Sequence, residues 1–200
     1  RIDIKVELHC ADIQYHELKN DRNFITPERT ERVWGQLETL QKVIDDYEGE
    51  DRLQFLCDMY ICKYLTLETH KLKVRKLDKY IATAINQLEK ASKDLEKVKD
   101  DNLNTWAKVH LLLLNIAVER NEILPNSFKL AQEIRSVFEE KKSMRLALEA
   151  ILISAKLYKD SPSKCLEIAT EGLVLSQKYS QLDLDTEFNK LIGSANEDLR

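Results

Sequence analysis

The sequence predicts an all-α protein built from antiparallel helix pairs, and three features of its 200 residues predict this. Glycine occurs 4 times and proline 3 times, about half of average usage or less, although strand-and-loop folds need both in their turns. Charged residues make up 33% of the chain, which is rich in Leu, Lys and Glu, and these are strong helix formers. All three prolines lie where a helical segment begins.

Nine helical segments follow one another along the chain. In the first, strand-like alternation of apolar residues competes with a helical stripe of Ile2, Val6, Cys10 and Ile13. Helix is favoured because the rest of the chain offers no strand partner. The nine predicted segments are 2–18, 27–47, 51–67, 74–98, 103–122, 125–140, 143–159, 162–179 and 183–199.

Proline marks the second helix of a pair. Thr26 and Ser161 are good N-cap residues, and the proline after each lies at the first helical position, where a missing N–H costs nothing. Pro125 opens the sixth segment. Pairs therefore begin near residues 2, 51, 103 and 143, with a half-pair at 183. Short connections make consecutive helices antiparallel.

A stripe of polar residues interrupts the fifth segment, which is otherwise apolar nearly all round and is expected to be sandwiched between neighbours. The stripe consists of Asn104, Lys108, Asn115 and Glu119. It marks the one face left open, which in a helical array is the concave wall. The matching stripe on the seventh segment consists of Arg145, Glu149 and Lys156. We predict that all of these except Glu119 form a partner-binding groove.

The stretch 164–178 has small residues at Cys165, Ala169 and Gly172, whose spacing of four and three lets two helices approach closely. It resembles the second helix of a tetratricopeptide repeat, and 146–155 is similar to the first helix of that family. The resemblance implies a right-handed α-solenoid that acts as a protein- or peptide-binding scaffold, its concave face lined by first helices. It also implies that Lys108 and Asn115 hold a peptide carboxylate. The pairs, about forty to fifty residues long, exceed the family's 34.

The fourth segment has apolar residues at alternating spacings of four and three. They are Leu77, Ile81, Ala84, Leu88, Ala91, Leu95 and Val98. Such a seam is typical of a coiled coil, and it leaves open a homodimer in which the chain is the regulatory and dimerising domain of a signalling or transcription regulator. Packing against the helix's own hairpin partner is favoured, because Ile85 widens the stripe beyond a strict seam.

Motifs for catalysis are missing from the sequence: it has no Gly-x-Ser-x-Gly elbow, Walker loop or Rossmann fingerprint. We therefore expect a protein that is not an enzyme and needs no cofactor. His9, Asp12 and His16 share one helical face and could bind zinc, so a helical enzyme or metal-binding domain stays as a second alternative. A basic cluster within 70–79 could dock an acidic or phosphate-bearing ligand.

The net charge and the pattern of cysteines indicate which kinds of partner and which cellular compartment to expect. The net charge of −4 argues against direct nucleic-acid binding. No apolar run approaches the eighteen residues of a membrane span. The cysteines occur singly in helical patterns, which favours a reduced, cytoplasmic setting: they are Cys10, Cys57, Cys62 and Cys165. Neither end carries a helix-capping signal, and we expect one domain, 1–200, cut from a longer protein.

Overall fold

The computed structural model describes residues 3–5, 7, 8, 10, 27–69 and 77–199, with side chains at 3–5, 7, 8, 10, 35–66 and 81–199. Every regular element in these residues is an α-helix, so the predicted all-α class is confirmed. None of the helices in these ranges combines the length and the apolar character that crossing a lipid bilayer requires.

Eight helices, rather than the predicted nine, are formed by the described residues. They are α1 (Pro27–Asp45), α2 (Arg52–Thr69), α3 (Leu77–Glu96), α4 (Leu103–Arg120), α5 (Ser127–Glu140), α6 (Met144–Leu157), α7 (Pro162–Lys178) and α8 (Leu182–Asp198). The first predicted segment, 2–18, falls largely outside the described residues. Of the residues described within it, Asp3 lies outside a helix and the other five are helical: Ile4, Lys5, Glu7, Leu8 and Cys10.

The chain divides into two compact units, 1–109 and 110–200, with the boundary inside α4. In the first unit α2 packs against both α1 and α3. Its core is a cluster of large apolar side chains from α1 and α2, joined by Ile4 and Leu8: Leu37, Leu40, Ile44, Phe55 and Met59.

In the second unit α6 is the central helix. It packs against α5, α7 and α8, and nine of its fourteen residues are buried. A helix with three neighbours can expose only a narrow face, which explains why its sequence is apolar nearly all round.

The α7–α8 contact depends on small side chains. Cys165, Ala169 and Gly172 are buried, as the predicted close approach of two helices requires. A Cβ added to Gly172 would lie 2.3 Å from Cε1 of Phe188 on α8, far inside van der Waals contact. The missing side chain of Gly172 therefore makes room for the Phe188 ring.

Three helices end on a non-glycine residue in the left-handed conformation. These residues are Asn121, Lys142 and Ser180, with φ values of 59°, 57° and 56°. After each, the amide of the next residue donates to the carbonyl five positions earlier, at N···O distances of 2.8, 2.9 and 2.9 Å. This is the hydrogen bond of a Schellman motif, so these helices are capped without glycine.

Two predicted helix starts differ in detail from the structure. Pro162 is the first residue of α7, as predicted, but the Ser161 side chain makes no capping hydrogen bond. Its backbone, at φ −132° and ψ 79°, lies outside the extended conformation usual for a capping residue. Helix α5 begins at Ser127 instead of Pro125. The Ser127 amide donates to the Leu124 carbonyl at 2.9 Å, which places Pro125 inside a turn that precedes the helix.

Candidate partner-binding face

Helix α6 leaves one polar stripe accessible. Arg145, Glu149 and Lys156 lie within about 40° of one another around the helix at 3.6 residues per turn. Arg145 is exposed, and Glu149 and Lys156 are half-buried. The predicted stripe is therefore present on a helix whose other surfaces are largely covered.

The α6 stripe is joined to α4 by hydrogen bonds. Lys156 Nζ donates to Asn115 Oδ1 at 2.9 Å, and Asn115 Nδ2 donates to Glu119 Oε1 at 2.8 Å. Near the ends of the same helices, Lys159 Nζ donates to Asn121 Oδ1 at 2.7 Å. The structure thus brings together two of the predicted groove residues, Asn115 and Lys156.

Arg145 joins α6 to α8. Its Nε donates to Glu149 Oε1 at 2.7 Å, and its Nη1 donates to Asp183 Oδ1 at 2.8 Å and to Gln181 Oε1 at 3.2 Å. Nη2 lies 2.7 Å from the second oxygen of Asp183. The hydrogen bond that Arg145 donates to Asp183, followed by the one that it donates to Glu149, raises the pKa of Arg145 above its ordinary value. Arg145 in turn lowers the pKa of Asp183.

Sequence reasoning missed two residues of this surface, Gln181 and Asp183. The only signal in the sequence is that both lie at the start of the next first helix, about one repeat beyond Arg145. We name the combined surface on α4, α6 and α8 the polar row. It consists of Asn115, Glu119, Arg145, Glu149, Lys156, Gln181 and Asp183.

The polar row offers recognition chemistry, with amides, carboxylates and cations arranged on one surface. The thiols of Cys57 and Cys165 are poor nucleophiles, because burial raises the pKa of Cys57 to about 12 and also raises that of Cys165. Among the described residues no group of three or more His, Cys, Asp or Glu is placed to hold a metal ion.

The other two predicted groove residues, Asn104 and Lys108, lie on the part of α4 that belongs to the first unit. Both are exposed. Neither side chain makes a hydrogen bond or an ion pair within the part of the chain that the structure describes. Their role in binding stays a prediction.

Five residues of the predicted dimer seam are buried in the fold of the single chain, whereas Val98 at its end is 37% exposed. The exposed fractions are 5% for Ile81, 1% for Ala84, 0% for Leu88, 5% for Ala91 and 0% for Leu95, while the side chain of Leu77 lies outside the described residues. Helix α3 packs against α2. Such burial is what packing against the helix's own hairpin partner predicts.

Two further sequence predictions fall outside the described residues. The proposed zinc ligands His9, Asp12 and His16 are not among them, and neither are the side chains of the basic cluster within 70–79.

Comparisons of the chain with models of protein families, with curated proteins and with solved structures find no match. The tetratricopeptide resemblance of 146–155 and 164–178 therefore stays a prediction from the residues themselves.

Proposed function

We propose that the second unit is a segment of an α-solenoid whose polar row binds a protein or peptide partner. The sequence separation of its interhelical polar contacts supports the solenoid. Between first helices, Lys156 bonds to Asn115 across 41 positions, and Arg145 bonds to Asp183 across 38. Contacts that recur at about one repeat length are expected where successive helix pairs stack.

Contacts between the second helices have a similar separation. Arg135 on α5 donates through Nη1 to Glu171 on α7 at 3.2 Å, across 36 positions. The same guanidinium donates through Nε to Glu139 at 2.9 Å. First helices thus contact first helices and second helices contact second helices, as in a stack of hairpins.

The observation that carries the binding function is the polar row, whose middle helix, α6, is largely covered on its other surfaces. Three first helices with axes about 8–10 Å apart span roughly 20 Å, about the length of six extended residues at about 3.3 Å each. In the proposed mechanism Arg145 and Lys156 pair with acidic or carbonyl groups of an extended partner. Asn115 and Glu149 accept its amides.

A matched pair of double variants tests this function. The chain is immobilised, partners are captured from a lysate of the source cells, and their amounts are measured by mass spectrometry. Arg145→Gln with Lys156→Gln removes the two cations of the polar row. Lys164→Gln with Lys178→Gln removes two exposed cations from α7, outside the row.

We expect a stoichiometric partner to be lost with the first pair and retained with the second, provided that circular dichroism shows both variants folded. Equal retention, or equal loss with both pairs, would exclude the polar row as the binding site.

A further inference from the structure

Arg145, the cation in the middle of the polar row, already binds a carboxylate of its own chain. Asp183 meets the guanidinium with both oxygens, at 2.8 and 2.7 Å, in the bidentate geometry that gives Arg–carboxylate pairs their strength and specificity. Glu149 and Gln181 accept from Nε and Nη1. All three guanidinium nitrogens are therefore engaged before any partner arrives.

We propose that Asp183 is an intramolecular competitor for the acidic group of a partner. This inference rests on the proposed function, in which Arg145 pairs with such a group. Asp183 is tethered to α8, so it acts at a high effective concentration. An acidic partner group can bridge Nη1 and Nη2 of Arg145 with both of its oxygens only by displacing Asp183.

The pair is accessible enough for this exchange. The exposed fractions of the side chains are 45% for Arg145 and 63% for Asp183, so an incoming carboxylate can approach without unfolding α6 or α8. Replacing one carboxylate by another on the same guanidinium gains little free energy. Isolated acidic side chains are therefore rejected, and binding requires further contacts, such as those of Lys156.

The test uses fluorescence anisotropy with a fluorescein-labelled peptide of eight glutamates as the probe. Asp183→Ser removes the competing carboxylate but keeps a short polar side chain in the first turn of α8. Glu187→Ser is the matched control, because it removes one negative charge from the same helix and breaks only an intrahelical pair with Lys190 at 2.7 Å.

We expect Asp183→Ser to tighten probe binding about threefold to fivefold, the range that an exposed ion pair would supply. Glu187→Ser is expected to change it less than twofold. Adding Arg145→Gln to Asp183→Ser should abolish the gain. If Asp183→Ser does not fold by circular dichroism, Asp183→Asn is measured in its place, since it keeps the first-turn acceptor.

Equal tightening by both serine variants would assign the effect to net charge and overturn the inference. No tightening with Asp183→Ser, or no probe binding by any variant, would also overturn it. Failure of the proposed function is detected by a different experiment, the lysate capture. There the proposed function fails if capture of a partner does not depend on Arg145 and Lys156. A captured partner that depends on those residues, with no effect of Asp183→Ser on the probe, would leave the proposed function standing.

Discussion

Gly172 determines how closely α7 and α8 pack. An alanine Cβ there would lie 2.3 and 2.4 Å from two ring atoms of Phe188, whose side chain is fully buried. The ring must shift, and overpacking of this kind costs about 1–3 kcal/mol. Better helix propensity returns up to about 1 kcal/mol. We expect Gly172→Ala to lower the free energy of unfolding by up to about 2 kcal/mol, measured by urea denaturation.

Gly193 on α8 provides the control for that substitution. An added Cβ there meets nothing within 4 Å, so Gly193→Ala gains the propensity term alone. We expect it to raise the free energy of unfolding by about 0.5–1 kcal/mol. If Gly172→Ala stabilises the protein as much as Gly193→Ala does, the Phe188 ring does not pack closely against Gly172, and the close approach of α7 and α8 is contradicted.

The C-terminal ends of the helices carry a cost that substitution can remove. Lys142 follows α5 in the left-handed conformation, at φ 57°, which costs a non-glycine residue about 1–2 kcal/mol. Glycine avoids this strain but loses about 0.5–1 kcal/mol of chain entropy on folding. We therefore expect Lys142→Gly to raise the free energy of unfolding by about 0.5–1 kcal/mol in urea denaturation.

The neighbouring residue is a matched control for Lys142→Gly. Lys141 has a right-handed backbone, at φ −75° and ψ 0°, so glycine there brings the entropy cost without relief of strain. Lys141→Gly should lower the free energy of unfolding by about 0.5–1 kcal/mol. The same sign for both variants would contradict the left-handed helix end.

The contact between α6 and α8 should depend on pH. Arg145 lowers the pKa of Asp183 from its ordinary value near 3.8, so the folded state binds fewer protons at this site than the unfolded state. The contribution of the Arg145–Asp183 pair to stability is fully present above the pKa of Asp183 in the unfolded state. It is lost as the pH falls through the lower pKa of Asp183 in the folded state. We expect the excess thermal stability of wild type over Asp183→Asn at pH 6 to shrink steadily below about pH 4.

The double-mutant cycle with Arg145→Gln isolates that effect. In the Arg145→Gln background, Asp183→Asn should change the melting temperature less than it does in wild type, because only the backbone hydrogen bonds to the Asp183 carboxylate remain. An unchanged difference between wild type and Asp183→Asn from pH 6 to pH 3 would show that the ion pair contributes nothing to stability.

For the whole molecule, the fold class could be predicted because its signals are local. The small number of glycines and prolines indicates a helical chain, and the proline at the first position of α7 indicates where that helix begins. The end of α5 shows what local signals miss. Its cap at Lys142 depends on a left-handed conformation that composition does not mark, since glycine is the usual residue there.

The polar row could be predicted only in part, because its contacts depend on how the helices are aligned with one another. The spacing of Arg145, Glu149 and Lys156 along one helix follows from its period of 3.6 residues. The identity of the residue that pairs with Arg145 does not follow from that period, because pairing with Asp183 requires a particular alignment of α6 and α8. Sequence reasoning therefore found the cation and missed the carboxylate that holds it.

The predicted dimer contact lies along the apolar stripe of α3. That stripe, including Leu88 at 0% exposure, is used inside the chain, so dimerisation through it would first require the core to open. We expect sedimentation equilibrium to give 23.4 kDa at every concentration. Leu88→Ala should lower the free energy of unfolding by about 2–5 kcal/mol without changing the mass. As the control, substitution of an exposed residue on the same helix, Asn86→Ala, should leave the free energy of unfolding within about 0.5 kcal/mol of wild type. A doubled mass that Leu88→Ala returns to 23.4 kDa would instead favour the regulatory, dimerising domain, because the stripe would then be shared between two chains.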